Sequence, residues 1–286
     1  MLDIFIVPLC VLALAVGSYS DIRIREVPDW LSFGLIYAGL GLRAVYSAVM
    51  WQWEPLAFGM AGFFAFLAIA YLMFYTGQWG GGDSKLLMGL GAMIGIDFLD
   101  LSGFPFLLVL LMNILIIGAA YGICWSIFLA VKHRKKFARR YRKLISSPSA
   151  QASKRIILLA SAVILTGVFF FHDIVIRMLL VTLVAILVLT VYLWVFAKAV
   201  EQSCMIRPID PEKLTEGDWI EKEVKVDGNH IAGPKDLGVD RKQIRKLVRL
   251  KRQGRIKKII IKEGIPFLPS FLIAYLVTLI FGNFVF

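Results

Sequence analysis

The chain has 286 residues, 59% of them hydrophobic, and carries 32 Lys and Arg against 20 Asp and Glu, a net charge of +12. Its apolar runs reach about 20 residues, more than a soluble core helix needs, which excludes an ordinary globular fold and points to a polytopic membrane protein. The positive balance does not require nucleic acid as a partner, because the Lys and Arg gather between apolar runs, where membrane topology accounts for them.

Eight candidate spans follow in chain order, at 2–20, 31–50, 56–76, 84–96, 104–131, 156–171, 174–198 and 265–286. The first lacks a basic region ahead of it and runs on into charged residues, so it reads as a span and not as a cleaved signal. The segment 84–96 stops at Asp97 and makes a helix of only about 20 Å at ~1.5 Å per residue. It thins the bilayer, opens onto water, or continues past Asp97. The predicted fold is an all-α polytopic bundle of roughly six to eight transmembrane helices, with a small cytoplasmic α+β insert before the last one.

Charge orients the bundle. The segment 132–155 holds Lys132, Arg134, Lys135, Lys136, Arg139, Arg140, Arg142, Lys143, Lys154 and Arg155 with no acid, and reads as a basic cytoplasmic loop. Its contact with anionic lipid is a by-product of that placement. Alternating the spans from it puts 22–30, 77–83 and 199–264 inside. Residues 1–131 then form a membrane catalytic core, 156–200 a transmembrane hairpin, 201–264 a cytoplasmic α+β unit and 265–286 the final span. Within the insert, Asp218–Val226 reads as a strand, Asp227-Gly228-Asn229 as a turn, Arg241–Gln253 as a basic helix closed by Gly254, and Arg255–Lys262 as a last strand. The insert serves substrate recognition or docking, or is a spacer with a solvated basic helix.

The chemistry concentrates in Gly80-Gly81-Gly82-Asp83-Ser84-Lys85. A carboxylate close to hydrocarbon is costly and marks a functional candidate. Two spans separate Asp21 from Asp83, so both reach one membrane face, and Ile265-Pro266-Phe267-Leu268-Pro269 arrives there too. Two carboxyls brought together share one proton, which supplies a general base and a general acid for attack of water on a peptide carbonyl. Gly80, Gly81 and Gly82 would let a substrate backbone approach and would permit unusual dihedrals. Each piece also has a plainer reading. Asp83 could be a helix cap, Asp21 a counter-ion for Arg23 and Arg25, the glycines a flexible loop, and Pro266 and Pro269 merely the first turn of a span. Asp29, after Val27-Pro28, reads as the cap of the second helix, and Lys85 as a tuner of the dyad or the inside end of its helix. Ser84 lacks a basic partner that would make it a nucleophile, since His133, His172 and His230 stand in unrelated contexts.

Gly80-Gly81-Gly82-Asp83 resembles the GxGD motif of membrane-embedded aspartic proteases, and most closely the prepilin peptidase family in its archaeal preflagellin (archaellin) and prepilin peptidase branch. Ser20-Asp21-Ile22-Arg23 through Ile24-Arg25-Glu26-Val27-Pro28-Asp29-Trp30-Leu31 is similar to the family's D-x-R-x-x-x-I-P-[ND]-x-L segment, and Gly80–Leu87 to its G-G-G-D-x-K-L. The likeness covers about 17–97, and Glu263–Leu272 resembles the closing I-P-F-x-P-x-L element. The resemblance implies an aspartic endopeptidase with Asp21 and Asp83 as catalytic pair, supported by Gly80, Gly81, Gly82, Lys85, Pro266 and Pro269. Its substrates would be archaellin or pilin-like precursors, whose short basic signal peptides are removed at the cytoplasmic face ahead of a hydrophobic helix. Cys10, Cys124 and Cys204 are scattered with no C-x-x-C pair, so no metal, disulfide framework or cofactor is expected. The competing readings are an intramembrane protease of the presenilin or signal-peptide-peptidase kind and a proton- or cation-coupled transporter. The former usually places its first aspartate inside a Tyr-Asp segment, and the latter predicts an internal repeat and broken helices; neither pattern is visible.

Overall fold

A computed structural model of the chain describes residues 2–99, 105–236 and 238–282. In chain order the helices are α1 (Asp3–Ile24), α2 (Asp29–Met50), α3 (Glu54–Tyr75), α4 (Gly81–Ile94), α5 (Phe106–Lys132), α6 (Arg134–Ile145), α7 (Pro148–Phe170) and α8 (Ile174–Val200). The insert follows as β1 (Ile206–Ile209), β2 (Trp219–Ile220), β3 (Val224–Val226), β4 (Asn229–Ala232), α9 (Arg241–Arg252) and β5 (Ile259–Lys262), before α10 (Leu268–Phe281). Among the described residues six helices, α1, α2, α3, α5, α7 and α8, are long and apolar enough to cross a membrane. The fold is thus an all-α membrane bundle with a small β/α insert ahead of its last helix. The last four residues of the expected span 265–286 and most of 97–103 lie outside the described residues.

Helix α4 sits at the centre although it has only 14 residues. Leu86, Leu87, Leu90 and Met93 are fully buried and pack with Leu14, Leu35, Phe66, Leu110 and Phe271 from the helices around it. Close approach replaces the hydrophobic effect as the force between helices in lipid. A Cβ on Gly62 would stand 2.3 Å from the Gly91 carbonyl oxygen, so α3 and α4 touch backbone to backbone. The short segment does not run past Asp97. It ends at Ile94 because Arg43 of α2, buried in the bundle, takes over its last carbonyls: Nη2 donates to Met93 O at 2.8 Å and to Ile94 O, while Nη1 reaches Pro55 O at 3.0 Å. Four carbonyls at a helix end have no partner within the helix. A single guanidinium here satisfies two of them in a place where water is scarce.

The segment 132–155 is helical where a loop was expected. Lys and Arg are good helix formers, so the segment folds as α6 between a turn at His133 and the break at Ser146-Ser147, where Ser147 caps α7 by accepting from Ala150 N. Helices α7 and α8 pack mainly on each other at the edge of the bundle and bury little of themselves.

In the insert, β5 is the central strand of a three-stranded antiparallel sheet in the order β1-β5-β2, and β3 and β4 form a separate hairpin. The expected strand over 218–226 is therefore two strands in two sheets, since Ile220 pairs with Ile261 while Val226 pairs with Asn229. The turn at Asp227-Gly228 is as expected, with φ of 53° and 78°. Asp240 and Gln243 form a reciprocal capping box at the start of α9, and Gly254 follows its end at φ 72°. Leu214, Ile220, Ile231, Val239, Leu247, Ile259 and Ile261 make a small core of their own.

Candidate active site

Asp21 lies in the last turn of α1 and Asp83 in the first turn of α4, so both are carried to the same end of the bundle. They line one cavity of about 1090 Å³. The insert contributes Thr215, Glu216, Trp219, Val239 and Arg241 to the cavity wall.

Local folding explains how each carboxylate is held. Arg25 takes the left-handed conformation at φ 60° and its N–H returns to Asp21 O at 3.1 Å, which ends α1 one turn after the aspartate. Asp21 is buried, and its Oδ2 accepts the N–H of Leu268 at 3.0 Å. Leu268 opens α10, where the first amides have no partner within the helix and favour an anion. The Ile265–Pro269 stretch thus reaches the site as expected by span parity. Its contribution is the backbone of Leu268 and the ring of Phe267; Ile265 and Phe267 line the cavity, and among the described lining residues Pro266 and Pro269 are absent.

Asp83 is half-buried and third in α4. The helix is capped by Gly80 and not by the Asp83 side chain, so the simple capping reading of Asp83 does not hold. Gly80, Gly81 and Gly82 all line the cavity, but their dihedrals are ordinary: Gly80 is extended and the other two helical. What glycine supplies at position 82 is room. A Cβ there would stand 2.8 Å from Val27 Cβ, so Gly82 lets α4 press against the turn that follows Asp21.

Asp29 does not cap α2, whose cap position is Pro28 with no side-chain bond. Its Oδ1 instead accepts from Lys85 Nζ at 2.6 Å, and this pair joins the two motif segments along the cavity wall. Glu263, which receives Arg207 at 3.1 Å and Arg25 at 3.8 Å, ties the end of α1 to the insert. Trp219 lies over the turn before the glycines, with Cη2 3.1 Å from where a Cβ on Gly77 would sit. Ser84 is buried and its hydroxyl has no hydrogen-bond partner among the described residues. Among the described residues no three His, Cys, Asp or Glu side chains are grouped to hold a metal ion. The sequence did not single out Trp219, Val27 or the Leu268 amide. Parity signals the last of these, since it brings a helix start to the two carboxylates.

Residues 8–123 match the family model described as the type IV leader peptidase family. Similar relatives include a preflagellin peptidase of Methanococcus voltae, 37% identical over 29% of this chain and 35% of the relative. A preflagellin peptidase of Methanococcus maripaludis is likewise 37% identical, over 29% of this chain and 36% of its own. The prepilin peptidase EppA of Methanothermobacter thermautotrophicus is 27% identical over 47% of this chain and 37% of its own. The chain thus spans only about a third of the length of these curated relatives. No solved structure matches.

Proposed function

From the match of residues 8–123 to the type IV leader peptidase family, we propose that the protein is a membrane aspartic endopeptidase of that kind using Asp21 and Asp83. Its substrates in this reading are archaellin or type IV pilin-like precursors, from which it removes a short basic signal peptide. The observation that carries the reading is the meeting of the two motif aspartates on one cavity at the end of the bundle, with the closing helix delivering an amide to one of them.

The mechanism follows from that meeting. The ionised carboxylate takes a proton from water as the water attacks the scissile carbonyl. The protonated one donates to the carbonyl oxygen, giving a gem-diol. The first carboxyl then passes the proton it took from water to the nitrogen, and the C–N bond breaks to release the amine. A diol hydroxyl returns its proton to the second carboxylate as the product acid forms. The Leu268 N–H, donating to Asp21 Oδ2, holds that carboxyl in place in the cavity wall. Glycine at 80 and 81 keeps the wall beside Asp83 free of side chains, which suits an extended peptide. Residues 1–131 with α10 would form the catalytic core and the insert its cover. The Lys and Arg of α6 favour the cytoplasmic face for this end of the bundle. That face is where a basic signal would remain.

The test is cleavage of a membrane-inserted precursor by the reconstituted full chain. Asp21→Asn and Asp83→Asn should each lower the rate by at least about 10³-fold, in keeping with loss of an acid or base, while the proteins insert normally. Substantial activity in either variant defeats the dyad. Asp29→Asn should keep most activity, because that carboxylate is already engaged by Lys85 at the rim.

A further inference from the structure

The charges in the wall of the dyad cavity do not balance one another. The described Lys and Arg of that wall are already paired: Lys85 with Asp29 at 2.6 Å, Arg241 with Glu216 at 2.7 Å and Lys262 with Glu201. Arg25 lies over the Trp125 ring and 3.8 Å from Glu263. Of the acids in the same wall, Asp29 and Glu216 are taken by these pairs, and Asp240 accepts Gln243 N as the cap of α9. Outside the dyad one acid is left. Glu26 lines the cavity, half-buried, and its carboxylate has no hydrogen bond or ion pair among the described residues. Neither of its oxygens is sealed inside the protein, as the Ser84 hydroxyl is.

Its position gives that carboxylate a use. Ser20 Oγ donates to Glu26 O at 2.7 Å, which ties the backbone of Glu26 to α1 beside Asp21. Val27, the next residue, fills the space against Gly82 at the start of α4. Glu26 and Asp83 are therefore each one residue away from the Val27–Gly82 contact. At about 3.3 Å per residue, the carboxylate lies within roughly three residues of extended substrate from the bond to be broken. A carboxylate without a counter-ion favours a cation in the space it faces, and a partly desolvated wall strengthens that preference over its value in water. The hydrophobic helix on one side of the bond cannot supply the cation, so the removed segment must. We infer that Glu26 determines specificity by pairing with a lysine or arginine of that segment close to the scissile bond. This rests on the peptidase reading and deepens it, since it places the charge requirement on one carboxylate beside the dyad.

The experiment uses the full-length protein in lipid vesicles and a panel of precursors. Their signal segments are neutral except for a single lysine, placed in turn at each of the three positions ahead of the bond, with an all-neutral precursor as reference. The readout is the ratio of kcat/KM for each lysine precursor to that of the reference. In the unaltered protein one position should give a ratio of about ten, carried by KM. Added salt should lower it, because the pair is only partly buried. Glu26→Gln should bring the ratio to about one and remove its salt dependence, and Glu26→Lys should invert the preference, favouring glutamate at the same position. A ratio near one at every position in the unaltered protein overturns the assignment, and so does a ratio that Glu26→Gln leaves as it was. A loss of cleavage on all precursors alike in Glu26→Gln gives the residue a structural role and equally overturns it. Each of these results leaves the peptidase reading intact, because the unaltered protein still cleaves. If the unaltered protein cleaves no precursor, the peptidase reading fails and the Glu26 assignment falls with it.

Discussion

At the scale of single residues, the site depends on how closely α4 approaches the turn after Asp21. Gly82 permits that approach, and its neighbour Gly81 provides a comparison: a Cβ at 82 would meet Val27 Cβ at 2.8 Å, whereas one at 81 would lie 3.5 Å from Phe74 Cε2. The first distance forces a shift and the second is ordinary contact. Gly82→Ala should therefore push the start of α4 away and reduce precursor cleavage about tenfold or more, the effect expected when reacting groups are displaced by a fraction of an ångström to an ångström. Gly81→Ala should cost much less. Restoring the space with Gly82→Ala plus Val27→Gly should recover a large part of the activity, which distinguishes crowding from a direct role of the glycine. A double variant as inactive as the single one would defeat this account. The G-G-G-D run and the first aspartate were legible because their residue types are unusual next to hydrocarbon. The division of labour among the glycines was not, because it is set by Val27, which is more than fifty positions away in the chain.

At the scale of elements, the long helices were readable because a span needs a length of apolar sequence that few other structures require. What escaped reading depends on contacts between distant segments. The end of α4 is fixed by Arg43 from α2, and the partner of Asp29 is Lys85, 56 residues along. Strand β1 is four residues with Pro208 inside it, a weak local signal, and it forms because β5 pairs along its whole length. Proline is tolerated there because β1 is an edge strand. The β3–β4 hairpin carries a testable charge arrangement. His230 Nδ1 lies 3.0 Å from Glu223 Oε1 and its Nε2 3.3 Å from Asp236 Oδ2, while Lys225 also pairs with Glu223 and Gln243 Nε2 donates to Asp236. The Glu223 hydrogen bond, aided by Asp236, raises the His230 pKa above its ordinary value, and Lys225 and His230 hold Glu223 below the usual carboxylate range. A raised folded-state pKa contributes stability in full below the unfolded pKa and loses it as pH rises through the folded one. Glu223, being depressed, loses its contribution only as pH falls through its own low value. The hairpin should thus hold most firmly in mildly acidic solution and loosen as pH climbs through the raised histidine value. Hydrogen exchange at Asn229–Ala232, corrected for its intrinsic pH dependence, should show this, and His230→Gln should flatten the profile. A profile unchanged by the substitution would remove the histidine from the argument.

At the scale of the whole molecule, the insert and the bundle meet beside the dyad, and one meeting point is Trp219 on the turn before the glycines. That turn is already fastened to α3, with Gly77 N donating to Phe74 O at 2.9 Å and Gln78 N to Met73 O at 2.9 Å. Gly77 has φ 70°, which suits glycine, and its bare Cα leaves the surface on which the indole rests. The tryptophan therefore covers a segment whose far end carries Asp83. The sequence left the insert as a unit for substrate recognition or docking, or as a spacer, and this contact tests the spacer experimentally. Trp219 is partly buried at the edge of the insert, beside Ile220, which belongs to the insert core. Trp219→Ala should therefore leave the insert folded while removing its hold on the bundle. Exchange of the Gln78 and Trp79 amides should rise, and precursor cleavage should fall about three- to tenfold, in proportion to roughly one lost aromatic contact. If the insert is only a spacer, neither quantity moves. If exchange rises while cleavage holds, the cover is a structural lid over a site that works without it. The combined outcome, looser turn and slower cleavage together, would make the cavity a joint product of bundle and insert, with Asp83 positioned from both sides of the membrane boundary.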